Sequence, residues 1–282
     1  MLIAYSAKFA SYSHIYGFFA CSSFMYFLIK YEEKYQSLNS LKKIGFDILS
    51  GTILGLICLI RLSNIMIVFL YIFWGVNSLK TLRSRFREIF SGKIFYQIFA
   101  FLIVYSIQIA LYGIYNGHFT FHGYNSNEEQ FIYLFHPQIY KVLFSANKGL
   151  FIYCPVLFLG FLGMFLFDFK NNKFKISQPL IFMCLTFVVS SWWCRWLGMG
   201  YSGRMYCDFL CIFALPVANI INTAFEDIKN KKNLFAYFLP VIIISFVLIN
   251  LIWYAGVSSE SINSNLATWY MLKNHLFSCL HF

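Results

Sequence analysis

FDILSGTILGLICLIRLSNIMIVFLYIFWGV, residues 46–76, is an apolar run interrupted near its middle by Arg61. Whether it crosses a membrane once or turns back decides the fold. Each half spans about fifteen residues, about 23 Å as a helix, which is short of the twenty or so residues of a full crossing. A single tilted span and a short hairpin both fit its length.

The rest of the chain supplies the context. Its 282 residues are 60% hydrophobic and only 12% charged. A soluble domain carries about twice that charge. It also could not hide 35 phenylalanines and 20 tyrosines. The composition therefore reads as an all-α polytopic membrane protein with one transmembrane domain over residues 1–282. The net charge of +11 would suggest nucleic acid in a soluble protein. Here it fits lysine-rich loops at the cytoplasmic leaflet, and no nucleic-acid partner is expected.

Further apolar segments run over 9–29, 94–114, 150–167, 177–191, 205–224 and 234–256. With the two halves of 46–76 they make about eight membrane-embedded helices. The loops 30–43, 77–93, 168–175 and 225–232 carry four, five, three and three basic residues. Basic residues concentrate on the cytoplasmic side, and these four loops share one side only if 46–76 crosses and returns. That favours the hairpin, with Arg61 near its outer tip. It also places both chain ends, the loop 115–149 and the loop 192–204 outside. The opening residues MLIAYSAKFASYSHIYGFF lack the basic start and small-residue cleavage site of a signal peptide.

The outer face gathers the unusual residues. SSWWCRWLGMGYSGRMYCDF, residues 190–209, combines Trp192, Trp193 and Trp196 with Arg195, Arg204 and Asp208. Tryptophans anchor at headgroup depth and arginines snorkel to phosphates, so an interfacial loop is one reading. Two arginines on the side that normally avoids them suggest another, an anionic ligand held by guanidinium groups. A third reading pairs Arg204 with Asp208, four residues on, if a helix has begun there. Lys148 and Gly149 stand directly before an apolar helix. Lys148 either holds a phosphate at that helix start or marks the membrane edge.

Near the start, Tyr5, Tyr12 and Tyr16 fall on one helical face, and Lys8 can join them. His14 reads first as a satisfied core histidine. Arg61, with Asn64, either snorkels outward or points into a polar cavity. Glu128 and Glu129 read first as solvated loop residues. The eight cysteines show no zinc spacing, and no metal site is expected from them. No nucleotide-binding, metalloprotease or serine-hydrolase motif is present.

FSANKGLFIYCPVLFLGFLGM (144–164) and SSWWCRWLGMGYSGRMYCDFLCIFALP (190–216) together resemble the later part of bacterial membrane glycosyltransferases of the C-type (GT-C) architecture, the relatives of dolichyl-phosphate-mannose protein mannosyltransferases. The likeness lies in Lys148–Gly149–Leu150–Phe151 with Pro155, and in Trp192–Trp193, Gly200–Tyr201, Gly203–Arg204, Tyr206 and Pro216. SYSHIYGFF (11–19) and GTILGLICLIRLSN (51–64) look like the family's middle helices.

The resemblance implies a transferase that takes a sugar from a polyprenyl-phosphate-linked donor in the membrane lipid. Its active face would be periplasmic or extracellular, in a bacterial inner membrane. It implies donor-phosphate contacts from Arg204 and Lys148, with Arg195, Tyr201, Trp193, Arg61 and His14 as further substrate-binding candidates. In the family an acidic residue on the first outer loop serves as base or holds a divalent cation. The chain is expected to lack that N-terminal loop, which leaves Asp208, Glu128 and Glu129 as substitutes for the acid. It also leaves room for a partner subunit that supplies the missing part. A non-catalytic lipid-phosphate-binding or assembly subunit, and a multi-pass transporter, are the competing functions.

Overall fold

The computed structural model describes residues 1–117, 119, 130–166, 173–194, 200–230, 234–263 and 266–280. Its α-helices are α1 (Leu2–Ser6), α2 (His14–Tyr31), α3 (Ser40–Ile60), α4 (Val68–Ile72), α5 (Leu79–Glu88), α6 (Ile94–Asn116), α7 (Ile139–Phe144), α8 (Leu150–Tyr153), α9 (Val156–Leu166), α10 (Ser177–Ser191), α11 (Cys211–Lys229), α12 (Leu239–Ser258) and α13 (Trp269–Leu280). No strand occurs among the described residues. The chain forms two compact units. One comprises Met1–Ile15, Glu128–Lys170 and Met183–Phe282, the other Tyr16–Asn127 and Asn171–Phe182.

The expected eight membrane helices are not found. Among the described residues four helices are long and apolar enough to cross a membrane: Ser40–Ile60, Ile94–Tyr115, Cys211–Lys229 and Leu239–Ser258. Three more, Leu62–Ile72, Val156–Phe165 and Ser177–Ser191, are apolar but shorter. Hydropathy counted apolar residues without seeing where the backbone breaks. The run from Leu150 is split at Cys154–Pro155, where proline lacks the N–H that would continue the ladder. The run from Met205 starts as a 3₁₀ turn, Arg204–Tyr206, and becomes α-helical only at Cys211. Helix α2 is 18 residues long, but His14, Lys30 and three tyrosines dilute it.

In the second unit, Asn39 caps α3 by accepting a hydrogen bond from the Lys42 amide at 3.0 Å. The helix ends at Arg61, whose backbone is extended (φ −158°). A 3₁₀ helix, Leu62–Ile67, then packs back against α3 and leads into α4. The lengths match. From Asp47 to Arg61 the α-helix rises about 21 Å, and the looser return from Arg61 to Tyr71 covers about 18 Å. Tyr71 thereby comes back within electrostatic reach of Asp47 and Glu32. The chain reverses near Arg61, but the hairpin of two membrane-embedded helices expected there is not found, because the segment after Arg61 is a 3₁₀ helix followed by only five α-helical residues.

Helices α3 and α6 make the closest pairing in this unit, and glycine explains it. A Cβ on Gly51 would lie 2.1 Å from the Gln97 carbonyl oxygen, and one on Gly55 would lie 2.7 Å from Val104 Cβ. Small residues four apart let backbones approach where lipid supplies no hydrophobic drive between helices. Beside this seam, the buried Asp47 accepts from Tyr35 Oη at 2.9 Å and Gln97 Nε2 at 3.3 Å. Arg85, also buried, donates from Nη2 to Glu32 at 2.9 Å and to the Tyr71 carbonyl at 2.9 Å, and from Nη1 to Glu32 and Glu88.

In the first unit, α9 packs on α11 through Gly160 and Gly163, whose Cβ positions would touch Phe213 and Pro216. Lys8 Nζ donates to the carbonyls of Val257 and Ser258, at 3.1 and 2.8 Å. It thus closes the negative C-terminal end of α12, and this is the work its sequence position left open. The last carbonyls of α10 accept from the amides of Tyr133 and Gln138, while Trp193 N donates to Gln130 O. Phe131 stacks edge-on against Trp192 at 4.8 Å. The described parts of the loops 115–149 and 192–204 are therefore joined.

The α3–α6 seam is testable by a matched pair of glycines. Gly51→Ala should destabilise the detergent-solubilised protein by about 1–3 kcal/mol, the usual cost of overpacking. Gly45→Ala, on the same helix with nothing within 4 Å, should leave the thermal midpoint unchanged or raise it. Equal midpoints for the two variants would contradict the seam.

Candidate functional site

Two tight turns of the first unit carry the candidate site. The first is Ser145–Gly149. Ser145 Oγ accepts from the Asn147 amide at 2.8 Å, and Gly149 N closes the turn on Ser145 O at 2.9 Å. A Cβ on Gly149 would lie 2.4 Å from that same oxygen, so glycine is required. Lys148 sits in the left-handed region at φ +63°. Such a backbone costs a non-glycine residue about 1–3 kcal/mol and persists only when its surroundings enforce it. The side chain is buried, with 5% exposure. Burial, and then the positive charge of Arg204, pull its pKa down from 10.5 to about 8.

The second turn is Gly200–Tyr206. Gly200 has φ +142° and lies against Tyr5, whose hydroxyl would sit 3.0 Å from a Cβ there. Arg204 opens the 3₁₀ turn, and its guanidinium carbon lies 5.1 Å from the centre of the Tyr12 ring. Tyr206 Oη bonds Thr186 Oγ1 at 2.8 Å.

A relay of tyrosines ties the two turns together. Tyr153 Oη donates to Ala146 O in the first turn, at 2.9 Å. Tyr201 Oη lies 3.0 Å from the carbonyls of Tyr153 and Asn250 and donates to one of them. Asn250 Nδ2 donates to Tyr201 Oη at 3.1 Å and also reaches Tyr153 O. Tyr5 Oη donates to Tyr201 O at 2.8 Å and accepts from Tyr201 N at 3.1 Å, across 196 positions.

Beside the relay lies the pair His14–Asp208. His14 Nδ1 and Asp208 Oδ1 are 2.6 Å apart, and both side chains are fully buried. A carboxylate beside Nδ1 favours the tautomer that carries the proton there. The His14 ring packs 5.0 Å from Tyr5 and 6.2 Å from Tyr12. One reading of the sequence pairs Arg204 with Asp208 if a helix has begun there; the α-helix α11 begins only at Cys211, and Asp208 is bonded to His14.

The structure thus gathers Arg204, Lys148, Tyr201, His14 and Asp208 in one unit. Tyr201 is 1% exposed and its hydroxyl is spent on the relay. Trp193 anchors the loop through its backbone, and its Nε1 finds no hydrogen-bond partner among the described residues. Arg61 belongs to the other unit, as the C-cap of α3. Glu128, Glu129 and Arg195 lie outside the described residues. Among the described residues no cluster of three His, Cys, Asp or Glu is placed to hold a metal ion.

The sequence reading missed Asn250 and Tyr153. Asn250 had a signal, because an amide in the middle of an apolar span is costly unless bonded. Tyr153 had none, since aromatic residues are common at membrane interfaces.

The fold and these turns define an all-α protein with helices able to span a membrane. No family model matches the chain, and neither does any curated protein or solved structure.

The relay makes a sharp prediction. Tyr5→Phe removes a donor and an acceptor and leaves both polar groups of the Tyr201 backbone buried and unbonded, at about 1–3 kcal/mol for each such group. The thermal midpoint should fall clearly. Tyr16→Phe, at a 63% exposed position, should not move it. Equal midpoints would remove the relay from the account.

Proposed function

We propose that this membrane protein binds the phosphate of a polyprenyl-phosphate-linked sugar on Lys148 and Arg204 and transfers the sugar to an acceptor. The observation that carries the reading is a lysine buried in a strained turn within the field of a second cation. Two like charges brought together away from water are costly. A phosphate between them would restore the lysine's charge and accept from the guanidinium fork. The likeness of residues 144–164 and 190–216 to C-type glycosyltransferases supports the same ligand.

In the proposed transfer, an acceptor oxygen forms a bond to the anomeric carbon. The bond from that carbon to the phosphate oxygen breaks, and its electron pair stays on the phosphate. Lys148 and Arg204 stabilise that growing charge. The acceptor's proton goes to His14 Nε2, and Asp208 holds the imidazolium that results.

A second reading is favoured by one observation. His14 and Asp208 are both fully buried, which suits a structural pair in a protein that binds the lipid phosphate without transferring the sugar. Asp208→Asn separates the two. Under the transferase reading it abolishes transfer while polyprenyl-phosphate binding persists. Under the binding reading no transfer is found in the wild type.

Lys148 fixes the pH dependence of binding. Affinity for fluorescent polyprenyl phosphate, measured in nanodiscs, should be high at pH 7 and fall as the pH rises through about 8, because the ligand-free lysine loses its proton. Lys148→Arg should flatten that fall, and Arg204→Ala should weaken binding about tenfold or more, as loss of a charged hydrogen bond does. The ligand-free protein should show the opposite trend. Its folded Lys148 has a lowered pKa, so the unfolded chain holds the extra proton between about pH 8 and 10.5. Stability therefore rises with pH across that window. Binding that is insensitive both to pH and to Arg204→Ala would refute the site.

A further inference from the structure

Helix α5, Leu79–Glu88, is not used by the candidate site. Its start is fixed by a capping box in which Ser78 and Thr81 bond each other's amides. Its rotation is fixed by Arg85, which is 6% exposed and forks onto Glu32. Burial pulls the pKa of that guanidinium down, but Glu32, Tyr71 and Glu88 together raise it. Ile89, 3% exposed, lies beside Arg85.

With this edge held inward, the helix geometry determines what faces out. At about 100° per residue, Leu79 and Phe86 line up within about 20° of each other, and Phe90, just beyond the helix, stacks its ring on Phe86 at 6.3 Å. All three are exposed, Leu79 by 84% and Phe90 by 64%. The next sector of about 60° carries Arg83, Arg87 and Lys80, which are also exposed. The nearest acid, Glu88, lies farther round and is engaged by Arg85. The surface is therefore an apolar ridge with a basic stripe along one flank. Five residues, Ile89–Lys93, with a kink at Gly92 (φ +128°), join it to the membrane-length helix α6.

We infer that α5 lies on an anionic lipid surface. Leu79, Phe86 and Phe90 enter the boundary between headgroups and acyl chains, and Lys80, Arg83 and Arg87 meet lipid phosphates. An apolar ridge beside cations on an amphipathic helix is what the interface selects. The closeness of α6 keeps the helix at that boundary, and the positive stripe, which forms no ion pair among the described residues, specifies negative headgroups. The Glu32–Arg85 clasp removes the one inward cation and aims the other three outward.

The test uses the full chain in nanodiscs of phosphatidylcholine, with and without phosphatidylglycerol. Amide exchange of residues 79–90 should be slower in the anionic discs. Fluorescent phosphatidylglycerol should partition to the protein in preference to phosphatidylcholine, and salt should weaken that preference. The variant Lys80→Gln/Arg83→Gln/Arg87→Gln should lose both effects. Lys80→Gln alone, whose side chain is exposed, should cost about fivefold in preference and covers the case in which the triple variant does not fold. Equal exchange in the two lipids, or an anionic preference that survives in both variants, would overturn the inference. Exchange that slows only with an added protein would assign the face to a protein and overturn it as well.

Discussion

The first compact unit depends on a chain of hydrogen bonds made by tyrosine hydroxyls. Tyr153 holds Ala146, Tyr201 and Asn250 together hold Tyr153, and Tyr5 closes both polar groups of the Tyr201 backbone. In an apolar surround each of these backbone groups would otherwise be costly to bury. The relay satisfies them and, in doing so, sets two turns at fixed positions. One turn carries Lys148 and the other carries Arg204. Neither cation is placed by its own contacts alone; each rides on a turn whose geometry is enforced from behind.

That arrangement carries an electrostatic cost. Lys148 is driven toward neutrality by burial and by Arg204, while its backbone occupies a region that lysine seldom adopts. Strain and repulsion at one point are tolerable where a ligand relieves them. The second unit handles charge differently. There Arg85 and Glu32 are buried together with good fork geometry, and the charge is balanced within the fold.

The class of the protein was legible in the sequence because composition alone forbids a soluble core. The number of membrane helices was not. Pro155 and the extended Arg61 break the helical ladder inside apolar runs that hydropathy reads as continuous, and the 3₁₀ turn at Arg204–Tyr206 delays α11. The cations Lys148 and Arg204 stood out as charges where charge is avoided. The His14–Asp208 pair spans 194 positions, a separation that no periodicity within one helix reports. Gly51 and Gly55 show the same limit, because their spacing was visible but their partner helix was not.

The central claim is that a lipid phosphate sits between Lys148 and Arg204. The most direct measurement is solid-state NMR dephasing of ¹⁵N-lysine and ¹⁵N-arginine signals by the ³¹P of bound polyprenyl phosphate. One lysine Nζ and one guanidinium should dephase, and the lysine signal should vanish in Lys148→Met. Absence of ³¹P dephasing at any lysine, or dephasing that persists in Lys148→Met, would contradict the site.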